Sequence, residues 1–322
     1  MLGRPESNEM SLGATPQIAA GAAVRRRSRL AEVRRHWLLY LLLLPSFAFA
    51  AVFYYYPMLS GIYHSFTFWD LKRTLWTGLE NYQRMLEDPI SVTAWRNMLV
   101  ILVSQLVIAA TAPLLVAALI YNLPAGRAPY WWRMVFVMPI VVPATVTVFI
   151  WRWMYGPEGG INEALRLFGL GHLARIWLGD QTTALWAIIF VGFPWVSGLN
   201  FLLYLAALQT IPPEVVDAAR VDGAGPFRRF FSVELPLIRP QMLLLLILTF
   251  VFYVRSFDAP LIMTNGGPGR AGTMVPGLQM YQAVREGFEL GYGSAIGTVL
   301  FAVTMALTLV YFTLQRRQRA GG

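Results

Sequence analysis

Apolar residues along this chain gather in long runs, not in the one-sided stripes of a globular helix. A helix needs roughly 20 apolar residues to cross about 30 Å of hydrocarbon at about 1.5 Å per residue. The stretches that meet this length run from Trp37 to Met58, Met98 to Tyr121, Trp131 to Met154, Ala184 to Leu208, Met242 to Met263, and Tyr292 to Leu314. They predict an all-α polytopic membrane protein with six transmembrane helices. Pro45, Pro139, Pro143 and Pro194 fall inside these runs. In a soluble helix each would argue for a break, but a bundle can re-satisfy the freed backbone groups, so the runs read as kinked spans.

The first run has some features of a cleaved signal: basic residues precede it, and Ala48, Phe49 and Ala50 match a small-x-small pattern. Its apolar stretch nevertheless continues through Ala51, Val52 and Phe53 to Tyr56, longer than a usual signal core, so an uncleaved first helix is expected. Ahead of it, residues 1–36 read as a basic cytoplasmic tail, whose first 24 residues lack helical periodicity and are expected to be disordered. Residues 37–316 form the membrane domain, including a polar loop at 209–239, and 317–322 form a second cytoplasmic tail. Segments 59–96 and 155–183 are long enough for small helices capping the bundle, and Asn162 to Phe168 has the apolar spacing of one.

Composition supports one membrane domain: 57% of residues are hydrophobic and 13% charged, against about 25% charged in soluble domains. The net charge of +9 does not point to nucleic acid, because the basic residues lie in the tails and between the apolar runs. Their distribution orients the bundle instead. Arg25, Arg26, Arg27, Arg29, Arg34, Arg35, Arg316, Arg317 and Arg319 flank the first and last runs, and Arg220, Arg228, Arg229 and Arg239 fall on the same side. The positive-inside rule therefore puts both termini in the cytoplasm. The chain has no cysteine, and His36, His64 and His172 are far apart, which excludes disulfides, thiol catalysis and a histidine metal site. No Ser/His/Asp cluster or carboxylate dyad falls at one depth, so the chain is not read as an enzyme.

The polar loop after the fourth run carries the most informative local chemistry. Pro212 and Pro213 suit the first turn of a helix, and Glu214 and Asp217 favour its positive end. Gly223 can take the left-handed conformation that ends that helix, and Pro226 can open a second, with Phe227, Phe230 and Phe231 as an apolar ridge. Ala218 and Ala219 leave little bulk, so another surface could approach closely.

This stretch resembles the EAA signature of membrane subunits of binding-protein-dependent ABC importers. Glu214, Ala218, Ala219, Asp222, Gly223, Ala224, Leu235 and Pro236 match its positions. The resemblance implies a type I ABC importer permease fold in a bacterial inner membrane, with this loop docking into a cleft on an ATPase subunit. A second resemblance, of Met263-Thr-Asn-Gly-Gly-Pro-Gly269, Leu290-Gly-Tyr-Gly-Ser-Ala-Ile-Gly297 and Gly160-Ile-Asn-Glu-Ala-Leu165, is to the maltose-like carbohydrate-uptake class. It extends over roughly residues 37 to 316 and is to the compact six-helix members, without the extra N-terminal helices and large outer insertion of the maltose permease itself. The partners implied are a second permease, two ATPase subunits, a solute-binding protein, membrane lipid and a sugar. ATP and Mg would be bound by the ATPases and no cofactor by this chain, whose only lysine, Lys72, follows no phosphate-binding glycine loop. The alternatives are the same machine carrying glycerol phosphate, a polyol or an oligosaccharide derivative, or a proton-coupled secondary transporter. The last would call for membrane carboxylates and an inverted repeat, whereas Asp258 is the one carboxylate in the predicted spans and no repeat is evident.

A substrate path is expected between the fourth and fifth spans. Arg255 and Asp258, three residues apart, would share a helical face, either as a local ion pair or lining the path. Tyr253 offers a ring for stacking, and Trp195, Ser197 and Asn200 oppose it, giving the mix of apolar faces and hydroxyl partners that sugars require.

Overall fold

The computed structural model of the chain describes residues 37–124, 126–196 and 198–320. The basic tail over 1–36 and Ser197 therefore lie outside the described residues. Two compact units divide the chain, Met1–Tyr56 and Pro57–Gly322, and the candidate site residues all fall in the second.

The elements in order are α1 (Leu41–His64), a hairpin of β1 (Thr67–Trp69) and β2 (Thr74–Trp76), α2 (Glu80–Glu87), α3 (Pro89–Tyr121), α4 (Arg127–Val137), α5 (Ala144–Met154), α6 (Gly160–Leu167), α7 (Ala184–Ile189), α8 (Gly198–Gln209), α9 (Pro213–Val221), α10 (Pro226–Leu237), α11 (Arg239–Arg255), α12 (Asp258–Thr264), α13 (Pro276–Arg285) and α14 (Leu290–Ala320). Among the described residues, α1, α3 and α14 are long and apolar enough to cross a membrane, and the number of spans rises to six if each sharply bent helix pair counts as one.

The expected continuity of three spans fails. Val142 is extended ahead of Pro143, and α4 and α5 meet at 92°. The fourth run is interrupted between Ile189 and Gly198, where Gly192 and Trp195 take positive φ. The fifth stops at Arg255 because Ser256 is extended, and restarts at Asp258. Pro143, the left-handed Gly192 and Trp195, and the extended Ser256 thus end helices here rather than bending them, and packing takes up the short pieces.

The all-α expectation is also corrected by the hairpin, with Thr67 opposite Trp76 and Trp69 opposite Thr74. Its turn is closed by Asp70, whose carboxylate accepts from the backbone N–H of Lys72 at 3.0 Å and of Arg73 at 2.7 Å and is held below the usual carboxylate range by those bonds, the Arg73 one foremost. The small helix expected near Asn162 is present as α6, and α14 continues through residues read as a tail.

α8 and α11 pack along α3, and α13 along α14. Side chains bury in two clusters. One surrounds the Pro89 half of α3 with Met98, Leu102, Val254, Met263, Leu278 and Ile296. The other surrounds its Tyr121 half with Leu114, Ala117, Tyr204, Leu208, Ile211, Val216, Phe230 and Ile238. Apolar side chains such as Leu42, Leu119 and Leu309 point outward along the long helices, a surface suited to lipid or another subunit.

Candidate functional site

The loop Ile211–Pro240 forms as its residues dictate. Pro213 occupies the first position of α9 and Glu214 its first turn. After Asp222, Gly223 sits at φ +73°, its N–H donating to the Arg220 carbonyl and that of Ala224 to the Ala219 carbonyl, both at 3.0 Å. These two bonds satisfy carbonyls at the end of α9 and need a left-handed residue, which glycine takes without a Cβ penalty. Pro226 then opens α10.

The loop divides into an inner and an outer face. Val216, Ala219, Phe230 and Ile238 are buried, all but Ala219 within the cluster at the Tyr121 end of α3. Glu214, Ala218, Asp222, Gly223 and Pro236 are exposed, with Ala224 and Leu235 half-buried. The paired alanines are therefore not equivalent, since only Ala218 faces outward. The phenylalanines do not form one ridge either: Phe230 turns inward while Phe227 and Phe231 stay exposed. Val221 and Phe227, on either side of the Gly223 bend, are 88% and 83% exposed, so the apex presents apolar surface beside charged groups.

Sequence reasoning missed Glu234 and took Arg229 only as a topology signal. A π turn over Phe230–Glu234 precedes Pro236, which has no N–H to continue the ladder. Arg229 Nε donates to Glu234 Oε1 at 2.7 Å, and the two side chains are 6% and 0% exposed. Arg229 Nη2 also donates to Asn122 Oδ1, just beyond α3. A separation of five is not a facing pair on an α-helix, so only the adjacent leucine-proline step hinted at the altered turn.

The substrate-path residues are not joined. Trp195 sits at φ +61°, its indole donating to the Ile189 carbonyl at 3.2 Å with its ring edge-on to Phe190 and Phe193. Asn200 is half-buried on α8, Tyr253 half-buried on α11 against the first cluster and edge-on to Phe252. Arg255 closes α11 and Asp258 opens α12; they form no ion pair among the described residues, and the expected shared helical face is absent. Arg255 and Asp258 are both exposed. α8 and α11 do touch, which places Asn200 and Tyr253 on neighbouring helices.

The glycine-rich turn after α12 is firmly built. Asn265 and Gly266 take positive φ, and a Cβ at Gly266 would lie 2.6 Å from Met274 Cε. Buried Asn97 on α3 donates to the carbonyls of Ala271 and Met274, each at 3.0 Å. Thr273 donates to the Gly267 carbonyl at 2.7 Å.

Comparison with known proteins agrees with this construction. The sequence profile of the binding-protein-dependent transport system inner membrane component family matches residues 17–320. The chain is 35% identical over 283 residues to the sulfoquinovosyl glycerol transport system permease protein SmoG of Agrobacterium fabrum, covering 86% of this chain and 89% of that one. It is 33% identical over 275 residues to the probable ABC transporter permease protein YurN of Bacillus subtilis, covering 84% and 93%. With the sn-glycerol-3-phosphate transport system permease protein UgpA of Yersinia pseudotuberculosis it shares 30% over 291 residues, 88% of this chain and 95% of the relative. A chain in the crystal structure of a bacterial alginate ABC transporter, in complex with an alginate pentasaccharide-bound periplasmic protein, superposes with a TM-score of 0.79 at 21% identity, covering 90% of this chain and 98% of that one. The chain belongs to the binding-protein-dependent transport system inner membrane component family, and is an inner-membrane ABC transporter permease rather than an enzyme.

Proposed function

We propose that this chain is one of two channel-forming subunits of an ATP-driven importer, receiving substrate from a solute-binding protein and passing it inward by alternating access. The observation that carries the proposal is the loop Ile211–Pro240: an exposed bend with Glu214, Val221 and Phe227 outward, packed through Val216, Phe230 and Ile238 onto the ends of α3 and α8. A surface with exposed apolar residues beside charges suits a protein partner. Its attachment to two membrane helices lets movement there reach the bundle. ATP and Mg belong to two ATPase subunits, one for each permease. Both termini are cytoplasmic, on the side of this loop, and six spans cross the membrane.

The substrate is a sugar or sugar derivative, in line with the sulfoquinovosyl glycerol, glycerol phosphate and alginate named for the relatives and the structural neighbour. Asn200 and Tyr253, with Trp195, Ser197, Arg255 and Asp258, are the proposed contacts on its path. The test is reconstitution of this permease in vesicles with its partner permease, ATPases and solute-binding protein. ATP-dependent uptake that stops when the binding protein is left out is expected; uptake driven by a proton gradient without ATP would overturn the proposal. Because the chain has no cysteine, single cysteines at Val221 and Phe288 report topology, with Val221 expected to react only from the cytoplasmic side.

A further inference from the structure

The end of α3 and the second half of the loop share one buried guanidinium. Asn122 donates through Nδ2 to the Ala118 carbonyl at 2.8 Å, which fixes it against the last turn of α3. Its Oδ1 accepts from Arg229 Nη2, and Arg229 Nε reaches Glu234 Oε1 at 2.7 Å across the π turn. Glu234 Oε2 is buried with no hydrogen-bond partner in the protein. Tyr121 lies close enough to feel both charges.

Stability alone does not account for this arrangement. Desolvating an ion pair costs as much as the pair returns, and apolar residues of similar volume often serve equally well. A guanidinium fork supplies geometry instead, because it can bond Asn122 and Glu234 together in only one placement of α3 relative to α10. The apolar cluster around it, which includes Ile120 and Phe230, would tolerate sliding. A π turn inside a helix is also a frequent mark of function.

We infer that Arg229, Glu234 and Asn122 form the joint through which displacement of the loop is passed to α3. This rests on the reading of Ile211–Pro240 as the ATPase-docking loop. Arg229 and Glu234 are buried in the subunit, so they are positioning residues and do not belong to the docking surface. Docking and transmission then depend on different residues. Side chains at the apex hold the ATPase, and the clamp makes α3 follow.

The chain's lack of cysteine allows the joint to be read by distance. Spin labels at Leu119→Cys on α3 and Val221→Cys at the apex both sit at exposed positions. In the assembled transporter, their separation should be the same in the nucleotide-free state and after trapping with ATP and vanadate. In Asn122→Leu, and in the double variant Arg229→Met/Glu234→Leu, the separation should change or broaden on trapping. Hydrolysis stimulated by the solute-binding protein should fall by about tenfold, a usual size for a lost coupling. An unchanged separation in Asn122→Leu would overturn the inference. So would failure of every clamp variant to assemble, which would make the trio a folding element only. Phe227→Asp, measured alongside for ATPase co-purification, tests the docking reading separately. If the ATPases remain bound in that variant, docking is misassigned whatever the labels report.

Discussion

The hydroxyl of Tyr204 donates to the carbonyl of Ala109 at 3.0 Å, the carbonyl that Pro113, four residues further along α3, leaves without its helical N–H. Both Tyr204 and Pro113 are fully buried. The proline inside the longest span is therefore satisfied by a side chain from α8, which is how a bundle accommodates a residue that would break an isolated helix.

Tyr204→Phe should destabilise the subunit by about 1–3 kcal/mol, because it strands a buried carbonyl. In a Pro113→Ala background the same change should cost less, since the substituted residue would supply the missing N–H. A double-mutant cycle on thermal unfolding in detergent measures the coupling, and strictly additive effects would contradict the pairing.

Gly223 offers a test of backbone against contact. A Cβ there meets nothing within 4 Å, yet the residue sits at φ +73°. Gly223→Ala should therefore cost about 1–2 kcal/mol through conformation alone, and Gly223→Val about 1–3 kcal/mol. Glu214→Ala, at an exposed position, should change stability by only about 0.5 kcal/mol either way while weakening ATPase association. Co-purification of the ATPases from membranes, together with thermal melting, separates the two effects.

Asn97 is expected to hold the turn after α12 in place. Its side chain donates to backbone carbonyls from Ala271 to Met274, so Asn97→Ala should cost about 1–3 kcal/mol and expose residues 264–275 to protease. Limited proteolysis showing the loop as resistant as in the parent would remove Asn97 from this role.

On the proposed substrate path, Asn200→Ala and Arg255→Ala should lower uptake with complex yield maintained. Arg255 is exposed and has no ion pair among the described residues, so its removal leaves no buried charge behind. Asn200 is half-buried on the helix that touches α11. Uptake kinetics on complexes of matched yield decide the point, and unchanged uptake in both variants would take these residues off the path.

Much of the loop Ile211–Pro240 was legible because its determinants are local. Proline at the first helical position, acid in the first turn and glycine at the left-handed end each act within a few residues, and α9, the Gly223 turn and the start of α10 follow them. The substrate path was less legible. Its reading assumed a continuous fifth helix, and the extended Ser256 separates Arg255 from Asp258. The hairpin at Thr67–Trp76 went unread because each strand has only three residues, too few for an alternating pattern to stand out.

By itself the sequence determined the solvent of this protein, the family signature of the loop Ile211–Pro240 and where that loop turns. Run length, charge placement and local backbone preference are written into neighbouring residues. Only the tertiary structure decided which prolines end helices and which are rescued, as Pro113 is by Tyr204. It also decided that Ala219 and Phe230 face inward while Ala218 and Phe227 do not. Arg229 meets Glu234 through a π turn and Asn122 across 107 positions of chain. Such contacts depend on helices brought together by burial and close packing, and no local periodicity encodes which distant partner a buried polar group will find.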